Sequence, residues 1–207
     1  MIQLLINDEF SYLKQVILGI STDFGGCPKI EDAYDPKSKE NIIRKSFPKE
    51  QDIEDELLCF SNTLQKYNVD VLRPRSIYKC NQVFARDVGF VLGDRFFISN
   101  MIKNRQQEIL GLEHILKKVH KSNIISIPDN IFIEGGDVLV GGEYIFVGYS
   151  DESDFSNYKV SRTNKYALNY LKSEFPDKEI VGFELKKSDD NSNNNCLHLD
   201  CCFQPLG

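Results

Sequence analysis

Several features are missing from this chain, and each absence narrows what it can be. No apolar run approaches the roughly 20 residues that cross a bilayer, so no membrane is expected as a partner. The first ten residues lack the basic region and long apolar stretch of a secretory leader, and the expected location is cytoplasmic. Positive charge is not in excess: 25 Lys and Arg face 31 Asp and Glu, a net charge of −6. A general nucleic-acid binder needs the opposite balance, so no nucleic-acid partner is expected. No two of the six cysteines form a CxxC pair, which removes support for zinc knuckles and thioredoxin-like motifs. With 207 residues the chain can build a core without disulfide staples. Cys27, Cys59, Cys80, Cys196, Cys201 and Cys202 therefore read as reduced, mostly buried thiols. Histidine is scarce too, with three in all. His114 and His120 fall on one predicted helix, which leaves no ligand cluster; no metal and no cofactor are expected.

What is present has the composition of a soluble globular domain, 41% hydrophobic and 27% charged, and residues 1–207 are expected to form one domain. Apolar periodicity predicts a strand over 13–20, then a polar stretch over 21–49. That stretch holds Gly25-Gly26, prolines and eleven charged residues, which suits a mobile flap or an insertion. A helix is predicted over 50–67 and a strand over 69–72. Next come strands over 88–92 and 95–99 flanking Gly93-Asp94, a helix over 104–120 capped by Asn104, and a strand over 123–127. Strands over 138–140 and 144–147, a helix over 162–175 capped by Ser161, and a strand over 179–185 repeat the pattern. The order strand, strand, helix, strand recurs, with helices starting about 55 residues apart. This predicts an α/β fold, a β/α propeller of ββαβ units. Residues 188–195 form a polar low-complexity loop, and 197–205 read as the first strand of a fourth unit. The ring would then stop about three and a half units along, as a chain truncated at its C-terminus does. The open edge of such a ring pairs readily with other chains, so a homo-oligomer is a further expectation.

Three short segments carry residues able to do chemistry: Phe84-Ala85-Arg86-Asp87, Ile133-Glu134-Gly135-Gly136-Asp137 and Leu197-His198-Leu199-Asp200. Each is placed at a strand end beside a turn. Taken singly, an Asp at a strand end is usually a turn residue, Gly-Gly a bend and a lone His a core residue. In this order, on successive repeats, they are far more specific.

Together the segments resemble those of the guanidino-group-modifying (pentein) superfamily, which includes amidinotransferases, arginine deiminases and dimethylarginine dimethylaminohydrolases, all five-unit β/α propellers. The resemblance extends from Leu13-Lys14-Gln15-Val16-Ile17-Leu18-Gly19, through Val69-Asp70-Val71-Leu72-Arg73-Pro74, to Leu197-His198-Leu199-Asp200-Cys201-Cys202-Phe203. It implies a small guanidino substrate, such as arginine, held by paired charge-assisted hydrogen bonds from Asp87 and Asp200. It implies His198 as general acid and base and Glu134 as the group orienting the imidazole. Asp137 either binds substrate or braces its turn. Arg162, in Ser161-Arg162-Thr163-Asn164, resembles a substrate-carboxylate ligand, for which a guanidinium fork is well shaped.

The superfamily's nucleophile is a cysteine that forms a covalent thiouronium intermediate, and none of the six cysteines occupies such a segment. In an extended strand Cys202 would stand about 13 Å from His198 and Cys201 would face the other way, so both read as packing thiols. The chain on its own is therefore expected to be inactive. Glu134-Gly135-Gly136-Asp137 and Ser161-Arg162-Thr163 lean towards a hydrolase, while the opening strand leans towards an amidinotransferase. A non-catalytic propeller serving as a binding module is the alternative from another class. It would have no need of Asp87, Glu134, His198 and Asp200 together.

Overall fold

Apolar runs four to six residues long set the strands of this chain, and its charged, capped segments set the helices. The computed structural model describes residues 1–206. In chain order, β1 (Gln15–Ile17) is followed by α1 (Pro36–Ile43), α2 (Glu50–Lys66) and β2 (Asp70–Leu72), and β2 lies parallel to β1. A helical turn, α3 (Ala85–Val88), leads into β3 (Gly89–Leu92) and β4 (Arg95–Ile98). A 3-10 segment (Gln106–Leu112), α4 (Glu113–Leu116) and β5 (Ile124–Ser126) complete that unit. A 3-10 turn (Gly135–Asp137) opens the next unit. It continues with β6 (Val138–Gly141), β7 (Tyr144–Tyr149), α5 (Glu152–Asn157), α6 (Tyr166–Glu174) and β8 (Glu179–Glu184). A last 3-10 turn spans Leu199–Cys201.

The fold is mixed α/β, and two of its three sheets share one topology. β3 and β4 form an antiparallel hairpin with β5 parallel to β4, and β6, β7 and β8 repeat the arrangement. Successive strand residues point to opposite faces, and both faces of these sheets are covered. On β4, Phe97 packs with Phe90, Val138, Val140 and Leu171, while its neighbour Phe96 packs with Val88, Leu112 and Ile115. On β6, Val138 and Val140 join the first cluster and Leu139 packs with Leu185 and Leu199 behind it. Each sheet is thus a wall between two cores, which is why its strands read as unbroken apolar runs rather than alternation. Each large side chain so buried contributes about 1.5–3 kcal/mol. Among the described residues no helix is long and apolar enough to cross a membrane.

The structure corrects the sequence reading in four places. The helix expected over 104–120 is mostly 3-10, and Asn104 does not cap it. The helix expected from Arg162 begins at Tyr166, and Ser161 does not cap it. The reason is that 161–164 is pulled taut across the molecule: Ser150 N–H donates to Thr163 O, Asn164 N–H donates to Phe132 O, and the Asn164 side chain bonds Phe132 N–H and Asn130 O. The stretch over 21–49 contains α1, capped by the Asp35 carboxylate on Ser38 N–H at 2.8 Å and by Pro36 at its first position. Finally, 197–205 forms no strand. It curls into the 3-10 turn, and Phe203 packs on Phe146 and Phe183 with ring centroids 5.0 and 5.3 Å away.

Candidate active site

The three chemistry-bearing motifs each fold as a single helical turn. Asp87 lies in α3, Glu134 directly precedes the turn Gly135–Asp137, and His198 directly precedes the turn Leu199–Cys201. The middle turn packs between the other two, and glycine makes that possible. A Cβ on Gly136 would lie 2.8 Å from both Asp87 Oδ1 and His198 Cγ, and one on Gly135 would strike the Arg86 carbonyl. The Gly-Gly pair is where the three turns touch, not a plain bend.

His198 is buried at this junction. Its Nδ1 lies 3.2 Å from Asp137 Oδ2, and its Nε2 lies 3.4 Å from Glu134 Oε2 and 3.6 Å from Asp87 Oδ1. These are ion-pair contacts at angles outside a good hydrogen bond, the looseness common in unliganded catalytic sites. Burial opposes charge on the ring, but Asp137, Glu134 and Asp87 outweigh it and hold the pKa of His198 well above the ordinary imidazole value. The three carboxylates thus favour the charged form of the ring. Glu134 answers in kind: burial would raise its pKa, yet His198, Arg162 and Arg105 pull it below the usual carboxylate value.

Asp137 is the bracing residue. Its Oδ2 accepts from Thr163 Oγ1 at 2.7 Å and its Oδ1 from Leu199 N–H at 2.9 Å, so one carboxylate ties the His198 turn to the 161–164 segment. This revises the expected roles, because the group on Nδ1 is Asp137, whereas Glu134 stands at Nε2. Thr163 Oγ1 also accepts from Glu134 N–H at 3.2 Å.

The two carboxylates expected to clamp a guanidinium already face guanidinium groups of the chain. Arg105 Nη1 donates to Asp87 Oδ2 at 2.7 Å and to Glu134 Oε2 at 3.3 Å. The rest of the Arg105 fork is held by Glu108, with Nε to Oε1 at 2.7 Å and Nη2 to Oε2 at 2.9 Å. The 3-10 winding brings residues three apart into line, which seats this pair. Asp200 is exposed and lies 3.4 Å from Arg86 Nε. Arg162 is almost wholly buried; its Nη2 donates to Tyr34 O at 3.3 Å, and its Nη1 has no hydrogen-bond partner among the described residues. Asp87, Glu134 and His198 bring one ligand atom each within 4.8 Å of one another, a spacing able to hold a divalent ion. Arg105 already holds a positive charge against two of those three groups, which disfavours a metal there.

These residues open onto a cavity of about 400 Å³ lined by Asp87, Arg105, Glu108, Arg162, His198 and Asp200. The 21–49 stretch forms its outer wall through Phe24, Tyr34, Asp35 and Phe47. The thiols are not where sequence placed them. Only Cys80 is buried, Cys196 is half-buried, and Cys27, Cys59, Cys201 and Cys202 are exposed. The 13 Å spacing of an extended strand does not apply, because the chain turns at Leu199–Cys201; Cys201 lines the cavity while Cys202 turns towards Cys196.

All six expected site residues thus gather at one place, Asp200 at the rim and the others beneath it. Sequence reasoning missed Arg105, Glu108, Thr163 and Tyr34. The available signal was the opposite charges of Arg105 and Glu108 three residues apart.

No family model matches the chain. The uncharacterized protein YkgA of Bacillus subtilis (strain 168) is 34% identical over 143 residues, which is 68% of this chain and 43% of that protein. Among solved structures, SxtG, an amidinotransferase from Microseira wollei, superposes with a TM-score of 0.68 at 16% identity, covering 89% of this chain and 63% of that one. The N-terminal domain of ArgZ, a cyanobacterial arginine dihydrolase, superposes at 0.66 with 17% identity, covering 86% and 59%. The dimethylarginine dimethylaminohydrolase of Pseudomonas aeruginosa superposes at 0.62 with 16% identity, covering 86% and 63%. The chain therefore spans less than two thirds of the length of each of these proteins.

Proposed function

We propose that this chain, whose fold is that of the guanidino-group-modifying (pentein) superfamily, carries the acid–base and substrate-binding part of an active site that cleaves a C–N bond of a guanidino compound. The observation that carries this reading is the buried His198 ring between Asp137 and Glu134, facing a cavity lined by Asp87, Asp200 and Arg162. Solved proteins of this fold include an amidinotransferase and an arginine dihydrolase, and one structure holds citrulline. In this reading the two ββαβ units are consecutive units of a propeller ring, and residues 1–207 belong to a single domain.

A guanidinium is planar and cationic, so attack at its carbon needs the cation fixed and the leaving amine protonated. Asp87 and Asp200 would take its N–H forks as Arg105 and Arg86 yield their places, and the unpaired Nη1 of Arg162 would take the substrate carboxylate. A thiolate attacks the guanidinium carbon, the C–N bond to the leaving amine breaks, and the amine takes its proton from His198. Water then attacks the thiouronium carbon and gives one proton to His198, and the C–S bond breaks to return the thiolate and a ureido product whose remaining hydroxyl proton passes to solvent. Carboxylates that favour the charged form of His198 suit the first of these steps. Glu134, at Nε2, stabilises the imidazolium, and Asp137 holds the ring from behind.

None of the six thiols suits the nucleophile's role. Cys201 faces the cavity, but burial, with the Asp200 carboxylate adding to it and a backbone hydrogen bond at His198 opposing it, pushes its pKa up. The nucleophile is then a thiol of the whole protein outside these residues, and this chain alone should not turn over. The hydrolase is the primary reading, with water as acceptor. A transferase would use an amine instead, and the amidinotransferase fold fits at least as closely as the dihydrolase fold.

Calorimetry with arginine and with citrulline tests the proposal. Arginine should bind more tightly, because a neutral urea cannot complete two charge-assisted pairs. Equal affinity would remove the clamp. A colorimetric assay for citrulline or urea should read zero for this chain; turnover abolished by Cys201→Ser would make Cys201 the nucleophile.

A further inference from the structure

Two thiols bracket the turn that carries His198 and Asp200. Cys196 Sγ and Cys202 Sγ are 3.4 Å apart. Cys196 Sγ–H also donates to the carbonyl of His198 at 3.1 Å, and Cys202 Sγ–H donates to the carbonyl of Leu199 at 3.4 Å. The Lys187 ammonium, buried nearby, donates to the Cys196 and Leu197 carbonyls at 2.9 Å each. A run of four carbonyls leading into the site is therefore held by one ammonium and two thiols. The last two of those side-chain donors can be removed by oxidation.

We infer that Cys196 and Cys202 form a redox modification site, a dithiol that closes to a disulfide across the His198–Asp200 turn and thereby alters the setting of His198. The oxidant is a low-molecular-weight disulfide. The exposed Cys202, as thiolate, attacks one sulfur of that disulfide and expels one thiol, giving a mixed disulfide. Cys196, losing its proton to solvent, attacks Cys202 Sγ and expels the second thiol. Two protein thiols are oxidised and one small disulfide is reduced to two thiols. The Cys196 thiol is pushed up to about 12 by burial and by the sulfur of Cys202 beside it, so capture by Cys202 comes first and closure is the slower step. Closure brings the sulfurs from 3.4 Å to about 2.0 Å and removes both S–H donors from the carbonyls of His198 and Leu199. Cys201, between them in sequence, faces the cavity and takes no part.

The inference assumes nothing about the substrate, so it can fail while the guanidino reading stands, and the reverse. The whole chain is equilibrated with glutathione and glutathione disulfide at increasing ratio, acid-quenched, alkylated and weighed. Two of the six thiols should become inaccessible with a mass loss of two hydrogens. Cys201→Ser should still lose two thiols, whereas Cys196→Ser and Cys202→Ser should form no internal disulfide. Serine keeps a hydroxyl donor for either carbonyl, and circular dichroism confirms that each variant is folded. A parent chain that keeps all six thiols, or stops at a glutathione adduct, overturns the proposal, as does a Cys202→Ser variant that oxidises like the parent. The imidazole ¹H–¹⁵N signal of His198 reads the link to the site: it should shift on oxidation of the parent and stay still in Cys202→Ser. An unchanged signal in the oxidised parent breaks that link.

Discussion

Two arginines reach the site from equivalent crossover segments of the two ββαβ units, and their surroundings differ. Arg105 follows the hairpin β3–β4 and spends its whole fork on Glu108, Asp87 and Glu134. Arg162 follows the hairpin β6–β7 and is just as buried, yet one of its nitrogens has no partner and Glu134 Oε1 stands 3.7 Å from it. Leaving a buried donor without a hydrogen bond costs about 1–3 kcal/mol, and the charge of Glu134 at 3.7 Å offsets that cost only in part. One arginine neutralises the chain's own carboxylates, and in the proposed reading the other is kept for a ligand, so that two units of the same topology serve structure and binding.

The largest effect should come from breaking the first arginine. Arg105→Met strands Asp87, Glu108 and Glu134 without their cation, and losing one partner of a buried ion pair costs about 3–5 kcal/mol. Arg162→Met gives up the bonds to the Val160 and Tyr34 carbonyls and the approach to Glu134 but relieves the unmatched nitrogen, so its unfolding free energy in urea should fall by only about 0.5–1.5 kcal/mol while arginine binding disappears. The reverse order of stabilities would falsify the division of labour. Gly136→Ala comes next. Its methyl must push His198 and Asp87 apart, an overpacking of about 1–3 kcal/mol, and the same variant should shift the His198 imidazole signal.

The pH dependence sharpens the comparison further. His198 has a raised folded pKa, so its contribution is complete below about pH 6.5 and is lost as pH rises through the higher folded value. Glu134 has a lowered folded pKa, so its contribution holds above about pH 4.3 and is lost as pH falls through the folded value. Urea midpoints should therefore peak between these limits and decline on the alkaline side, and His198→Gln should flatten that alkaline decline. A decline that survives the substitution belongs to another group. The smallest effect is expected for Arg86→Gln. Arg86 is 42% exposed and pairs with Glu9 and Asp200 in solvent, where such pairs are worth about 0–1 kcal/mol. A loss well above that would make Arg86 a second Arg105.

The strands were readable in the residues because their apolar runs are long enough to bury on both faces, and the two hairpins were readable from Gly93-Asp94 and the glycines near 142. The motifs holding Asp87, Glu134, Asp137, His198 and Asp200 were also readable, since their residue types and order carry the chemistry. The winding of the helix over 104–120 and the start of the one over 162–175 were misread, because local propensity there yields to hydrogen bonds from distant residues: Arg75 N–H donates to Gly111 O, and Asp137 takes the Thr163 hydroxyl. No local pattern announces a bond between residues 26 or 36 positions apart. For the same reason the pairing of Asp137 with Nδ1, the occupation of Asp87 by Arg105 and the approach of Cys196 to Cys202 belong to the folded chain. Residue type sets which groups can bear charge or donate a proton. Which of them meet, and so which are charged, paired or left open for a ligand, is set by how the three turns pack around Gly135 and Gly136.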